Sequence, residues 1–453
     1  MIKEYKLGKK KYSFFDKSRV AKDNIFTIMV GKNGTGKSRL LGSIIREFVD
    51  DTDSDKFFRQ RELGFQEFKK GIITTENEPS KIIAVSTSAF DKYPLHRMRQ
   101  ELDDKYKYFG LRDLNSFNVG LSFITKIIGS LIEVVCLESS QFDKISNVLE
   151  YLGYTDKIIA RFEIRFSKTR YNDILNSLDP ILAFEEYLNN SGVIPRQRRY
   201  FQNGDSQINE EKVQKLIEIL NRRNNWNKTI YDINISRQGI KNEIFTETLH
   251  DDLMFLIESG IVRLRDFGLT KIDNSKVFRI NEASSGEQCI VTTFLGIACH
   301  ISDNSLICID EPEISLHPEW QQRYIRLLIS TFKDYKGCHF IIATHSPQII
   351  SRLSTENCFI LSMENGSIQN ASQFVNHSAD FQLANIFNSP GYQNEYLNRL
   401  SFSIMSKVAK TKRFDKEDLK NFLLIESQIQ FMEEEDPIIQ LYLLLKDLKV
   451  KYA

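Results

Sequence analysis

Residues Gly31-Lys32-Asn33-Gly34-Thr35-Gly36-Lys37-Ser38 fit the pattern G-x-x-x-x-G-K-[ST]. They follow a short, wholly apolar, β-branched-rich run, Ile25-Phe26-Thr27-Ile28-Met29-Val30. A helical pattern through Leu40, Leu41, Ile44, Ile45 and Phe48 comes directly after. Strand, glycine turn and helix in that order constrain the chain strongly. Glycines let the backbone wrap a polyphosphate with its N–H groups turned inward, and the helix N-terminus adds partial positive charge. In such a cradle Lys37 bridges the β- and γ-phosphates and the Ser38 hydroxyl binds Mg²⁺. Gly31, Asn33, Gly34, Thr35, Gly36 and Arg39 complete the candidate nucleotide-binding set, and ATP with Mg²⁺ is the expected ligand.

Further apolar runs of strand length recur at Lys81–Ser86, Leu306–Ile309 and Phe340–Ala343, and helical patterns alternate with them. Short buried strands between helices predict an α/β fold with a mainly parallel sheet covered on both faces. From about Phe90 to Asn281 the pattern becomes charged and amphipathic, with helical periodicity at Gln141–Leu152 and Glu210–Arg222. Asn-rich stretches near Asn189–Gly192 and Asn224–Asn227 read as loops. Strand character returns at Ile261–Leu264 and Val277–Ile280. A helix is expected over Glu287–Ile301, and a hairpin, Cys358–Leu361 with Ser367–Ile368, turns at Asn365-Gly366. Helices are expected at Asn394–Val408, Lys416–Phe431 and Pro437–Val450. The division that follows is 1–89, first part of the ATPase core; 90–260, mainly helical insertion; 261–378, second part of the core; 379–453, helical tail.

Composition bounds the function classes. The 453 residues are 41% hydrophobic and 27% charged, with a formal net charge of +1. That balance supports a large core and gives no whole-chain attraction to nucleic acid or membrane. No apolar run reaches the ~20 residues of a membrane span, and the first residues do not read as a secretory signal. A cytoplasmic protein is expected. The six cysteines form no Cys-x-x-Cys pair and read as reduced, buried thiols.

Three further stretches carry chemistry. Asp310 and Glu311 end an apolar strand. Asp310 is placed to hold the Mg²⁺ shell, and Glu311 to act as the base that orients a water. Glu313 reads also as plain exposed charge. Ser284-Ser285-Gly286-Glu287-Gln288 opens a helix, and is either an N-cap or an anion site. Phe340–Ala343 runs into Thr344-His345-Ser346.

With these motifs in this order, the chain resembles the ABC ATPase superfamily, in the branch of the SMC-like, RecF-like and OLD-family proteins. The resemblance covers Gly31 to Ser346. It implies that Ser285, Gly286 and Glu287 contact the γ-phosphate held by a second copy, in a head-to-tail dimer. It implies that His345 contacts the γ-phosphate or the attacking water, as catalytic partner to Glu311. Two departures stand out. His317, in Ser315-Leu316-His317-Pro318, lies where the family has Asp. No glutamine follows Lys81–Ser86, so a serine of that loop or Asp91 is left to meet Mg²⁺ or its water.

The tail lacks the Asp-x-Asp and the strands of the OLD-type nuclease module, and Asp436 stands alone. In this the chain is similar to the PtuA family, ATPase subunits of Septu antiphage systems, some of them retron-associated. That resemblance implies an HNH nuclease partner of the PtuB kind and a multi-copy assembly. The alternative is an SMC/RecF-like repair ATPase that clamps DNA. The cluster Arg196-Gln197-Arg198-Arg199-Tyr200-Phe201, with Arg222, Arg223, Trp226 and Lys228, is either a DNA contact or a loop with ordinary charges. Leu441, Leu443, Leu444, Leu445 and Leu448 form either core or an assembly contact.

Overall fold

The structure is a computed structural model. It describes residues 1–16, 23–49, 71–88, 90–95, 105–112, 119–137, 139–189, 193, 195–203, 207–222, 229–241, 249–273, 275–354 and 356–452. The chain divides into two compact units, residues 1–112 with 301–453, and residues 113–300.

The first unit is built on a seven-stranded sheet. Its strand order is Ile368–Asn370, Cys358–Ser362, Ile25–Val30, His339–Ala343, Leu306–Asp310, Ile82–Ser86 and Tyr106–Phe109. Every neighbouring pair is parallel except the hairpin at one edge. The four central strands are buried at every residue, as continuous apolar runs require when both faces are covered. A three-stranded antiparallel sheet, Lys10–Ser13, Ile2–Leu7 and Ile72–Thr75, lies in the same unit. The helix Lys37–Arg46 contributes Leu40, Leu41, Ile44 and Ile45 to the core they share.

Register decides what the sheet can present. Met29 pairs with Ala343, Ala343 with Asp310, and Asp310 with Ser86. Four strands therefore end level, and the segments beginning at Gly31, Thr344, Glu311 and Thr87 all leave from one edge. In open parallel sheets that carboxyl edge is where ligands bind.

The expected helical tail is present as Ala379–Asn385, Glu395–Thr411, Lys416–Ile429 and Pro437–Tyr452. It has its own core, including Leu397, Ile404, Val408, Phe422, Ile425, Ile438 and Leu445. Of the tail leucines, Leu445 is buried and Leu448 packs against that core, whereas Leu443 and Leu444 are about half exposed.

The second unit carries more strand than the mainly helical reading of residues 90–260. It carries a five-stranded antiparallel sheet, Val277–Arg279, Val262–Lys271, Tyr154–Ile164, Ile230–Ser236 and Gly239–Lys241, along with helices that include Val119–Leu137, Ser139–Tyr151, Leu249–Glu258 and Ser285–His300. Ile158, Ala160, Phe162 and Ile164 are buried in alternation along the central strand. The period of two marks a strand with one covered face. Arg161 bridges Asp232 directly across the ladder with both nitrogens, at 2.7 and 2.8 Å. Of the loop read at Asn189–Gly192, Asn189 ends the helix Pro180–Asn189, and the remainder, with Asn224–Asn227, lies outside the described residues.

Candidate nucleotide site

Gly36 caps the helix Lys37–Arg46 in a left-handed conformation, φ 93°, which a side chain rarely adopts. Thr35 Oγ1 donates to Lys32 O at 2.8 Å and closes the loop over. The loop thereby turns Lys37 back across itself. Its ammonium donates to Gly31 O at 3.0 Å and meets His345 Nε2 at 2.5 Å. Asn33 and Gly34 at the loop tip and Arg39 on the helix are exposed.

Ser38 Oγ donates to Asp310 Oδ1 at 3.1 Å. Asp310 is buried, and its Oδ2 has no hydrogen-bond partner among the described residues. Burial raises its carboxyl to about 7, against the lowering effect of the Ser38 hydrogen bond. Burial likewise lowers the Lys37 ammonium, while Glu311, Asp310 and Glu313 raise it. In both groups burial favours the neutral form. A hydroxyl and a carboxylate side by side, Ser38 Oγ against Asp310 Oδ1, make an oxygen donor set of the kind a hard divalent cation takes. The residues present thus fit Mg²⁺.

Glu311 adopts a left-handed backbone, φ 49° and ψ 56°, before Pro312. Such a residue stores strain of about 1–3 kcal/mol and persists only where its neighbours hold it. Here its N–H donates to Ala343 O at 2.9 Å, and its carbonyl accepts from Thr87 Oγ1 at 2.8 Å. The side chain reaches His345, Oε1 lying 3.5 Å from Nε2. Burial, and then the adjacent Lys37 charge, lower His345 to about 4, so its ring is neutral at neutral pH.

Two expectations are corrected. Glu313 is not plain exposed charge: its carboxylate accepts the His345 N–H, and burial raises it. Asp91 does not face the metal position. Its oxygens take Tyr93 N at 3.1 Å, Tyr108 Oη at 2.7 Å and Arg112 Nη1 at 3.3 Å, which anchors the loop after the strand Ile82–Ser86. Neither role was legible, because only the fold brings Glu313 to the His345 N–H and Asp91 to Tyr108 and Arg112. His317 is the N-cap of Pro318–Thr331, its Nδ1 accepting from Glu319 N at 3.5 Å.

The Ser284–Gln288 turn belongs to the second unit. Ser284 Oγ accepts from Glu287 N at 3.3 Å, and Glu287 Oε2 accepts from Ser284 N at 3.1 Å. This reciprocal pair is a capping box. In the basic cluster, Arg196 donates to Glu258 O, Arg198 to Leu188 O and Arg199 to Pro195 O. Arg222 pairs with Asp252 at 3.2 Å. Arg223, Trp226 and Lys228 lie outside the described residues.

The chain is similar in sequence to known proteins. The "Retron Vc95 probable ATPase" of Vibrio cholerae serotype O1 biovar El Tor is 23% identical over 367 residues, covering 74% of this chain and 68% of that protein. The "Retron Ec83 probable ATPase" of Escherichia coli is 29% identical over 133 residues, 26% of this chain and only 24% of that protein. Among solved structures, Stu0660 of Streptococcus thermophilus superposes over 97% of this chain and 99% of its own, at 13% identity and a TM-score of 0.34. Residues 109–351, a span that contains Ser285, Asp310, Glu311 and His345, match the family described as "AAA domain, putative AbiEii toxin, Type IV TA system". The match takes in more than half of the 453 residues, and the chain belongs to this AAA-domain family.

Proposed function

We propose that the chain is an ABC-like ATPase that binds MgATP at the carboxyl edge of its parallel sheet and works as a nucleotide-dependent switch. The observation that carries this reading is the convergence, at level strand ends, of Lys37, Ser38, Asp310, Glu311 and His345. Lys37 binds the phosphate tail, exchanging Gly31 O and His345 for phosphate oxygens. Ser38 and Asp310 hold Mg²⁺. The ion's own contribution is to draw charge from the phosphate oxygens. Glu311 orients a water and accepts its proton, and the neutral His345 ring, on a residue whose backbone N–H is held by Glu313, lies beside both.

In this reading Ser285, Gly286 and Glu287 act from a second copy. Two chains pair head-to-tail, and each pocket is completed by the helix N-terminus of the other. Nucleotide is then an interface component and stabilises the pair by mass action. Relatives named as retron ATPases support a place in antiphage defence, where the paired form would control a separate HNH-type nuclease. The DNA-clamp alternative relies on the cluster at Arg196–Arg199, where each guanidinium gives its Nε–H to a backbone carbonyl.

The test is the solution mass of Glu311→Gln with and without MgATP. A doubling of mass with MgATP, reversed by a second change, Ser285→Arg, is the expected result. A chain that holds MgATP and keeps its nucleotide-free mass would refute the pairing.

A further inference from the structure

The loop from Asp91 to Pro94 is held with unusual completeness. Four consecutive backbone carbonyls are each bound by a side chain. Arg112 Nη1 donates to Asp91 O at 2.7 Å and to Tyr93 O at 3.2 Å. Arg46 Nη2 donates to Lys92 O at 3.0 Å, and Tyr106 Oη to Pro94 O at 2.8 Å. The Asp91 carboxylate adds the Tyr93 N–H from inside the loop. Gly42, on the helix that follows the phosphate loop, approaches so closely that a Cβ there would stand 2.2 Å from Lys92 O. The loop is thus fixed from the helix on one side and from the strand Tyr106–Phe109 on the other.

What this frame positions is the Tyr93 side chain. It is fully buried in the core that contains Leu40, Leu41, Ala84 and Cys308. Alternation along the strand puts Cys308 and Asp310 on one face, so Tyr93 stands on the face that carries the Asp310 carboxylate. Its hydroxyl is buried and has no hydrogen-bond partner among the described residues, and the same holds for Asp310 Oδ2. After burial itself, Asp310 is the largest influence raising the Tyr93 hydroxyl. One buried donor and one buried acceptor, neighbours on the same face, are both unsatisfied. Each alone is costly, and a phenylalanine would fill the same space without the orphan.

We propose that Tyr93 is a positioning residue for Asp310: its hydroxyl reaches Oδ2 through one buried water and orients the carboxylate that takes the divalent cation. This rests on the MgATP site proposed above. The bridge fixes Oδ2 and leaves Oδ1, beside Ser38, facing the phosphate loop. Outer partners of this kind tune metal affinity without touching the metal.

The test compares wild type, Tyr93→Phe and Tyr108→Phe by calorimetric titration of ATP with Mg²⁺ and with EDTA, and by thermal midpoint without nucleotide. For Tyr93→Phe the expected result is an unchanged or higher midpoint and unchanged metal-free ATP binding. The Mg²⁺ concentration for half-saturation should rise about tenfold. Tyr108→Phe removes a hydroxyl that serves Asp91 and should lower the midpoint while leaving the Mg²⁺ requirement in place. A Tyr93→Phe titration that superimposes on wild type overturns the proposal, as does an equal Mg²⁺ shift in Tyr108→Phe. Wild type that binds ATP no better with Mg²⁺ than with EDTA would overturn the MgATP site itself, and this inference with it.

Discussion

At the scale of single residues, the site is a set of groups that burial has pushed away from their ordinary charge states. Asp310 is raised to about 7 and His345 lowered to about 4. For His345 the sign follows directly. Its folded pKa lies below the ordinary 6.5, so the unfolded chain takes up a proton between these values that the folded chain does not. The stability gained from a neutral His345 is complete above pH 6.5 and is lost as the pH falls towards 4. Denaturant midpoints at pH 7 and pH 5 should therefore fall less steeply in His345→Gln than in wild type, and parallel pH slopes would count against this assignment. Glu311 makes a second prediction. Glu311→Gln keeps the side-chain shape and the strained backbone but loses the base, so phosphate release should drop at least ~100-fold while MgATP affinity holds. A variant that turns over at the wild-type rate removes Glu311 from the mechanism.

At the scale of elements, close packing and propensity disagree at one informative place. Gly42 sits inside the helix Lys37–Arg46, where alanine would normally gain about 1 kcal/mol. Here a Cβ would collide with Lys92 O at 2.2 Å. Gly42→Ala should therefore lower stability by about 1–3 kcal/mol, read from chemical unfolding, and a stabilised variant would show that the loop after Ile82–Ser86 moves freely. What was legible in the sequence divides along similar lines. The strands Ile25–Val30, Leu306–Asp310 and His339–Ala343 could be read because both of their faces are covered and few residues within them are polar. Tyr154–Ile164 escaped notice. Lys157, Arg161 and Glu163 alternate with its apolar residues, and its ladder partners lie some distance on, at Ile230–Ser236 and Val262–Lys271. Asp310 and Glu311 could be placed from a strand end beside a phosphate loop. Glu313 and Asp91 could not, since what decides their roles is the His345 N–H in one case and Tyr108 and Arg112 in the other.

At the scale of the whole molecule, register does most to make a site. Segments that begin at Gly31, Thr87, Glu311 and Thr344 are far apart in the chain and meet because four parallel strands end level. The tail also reaches this edge: Lys32, second in the phosphate loop, lies over the Phe431 ring at 3.6 Å, a contact of the cation–π kind. Affinity for MgATP, measured calorimetrically in wild type and in Lys37→Ala, tests this convergence most directly. The account predicts saturable, Mg²⁺-dependent binding that falls at least ~100-fold when Lys37 is lost, since a buried charge-assisted contact is worth about 3 kcal/mol. Equal affinity in the two proteins would contradict it.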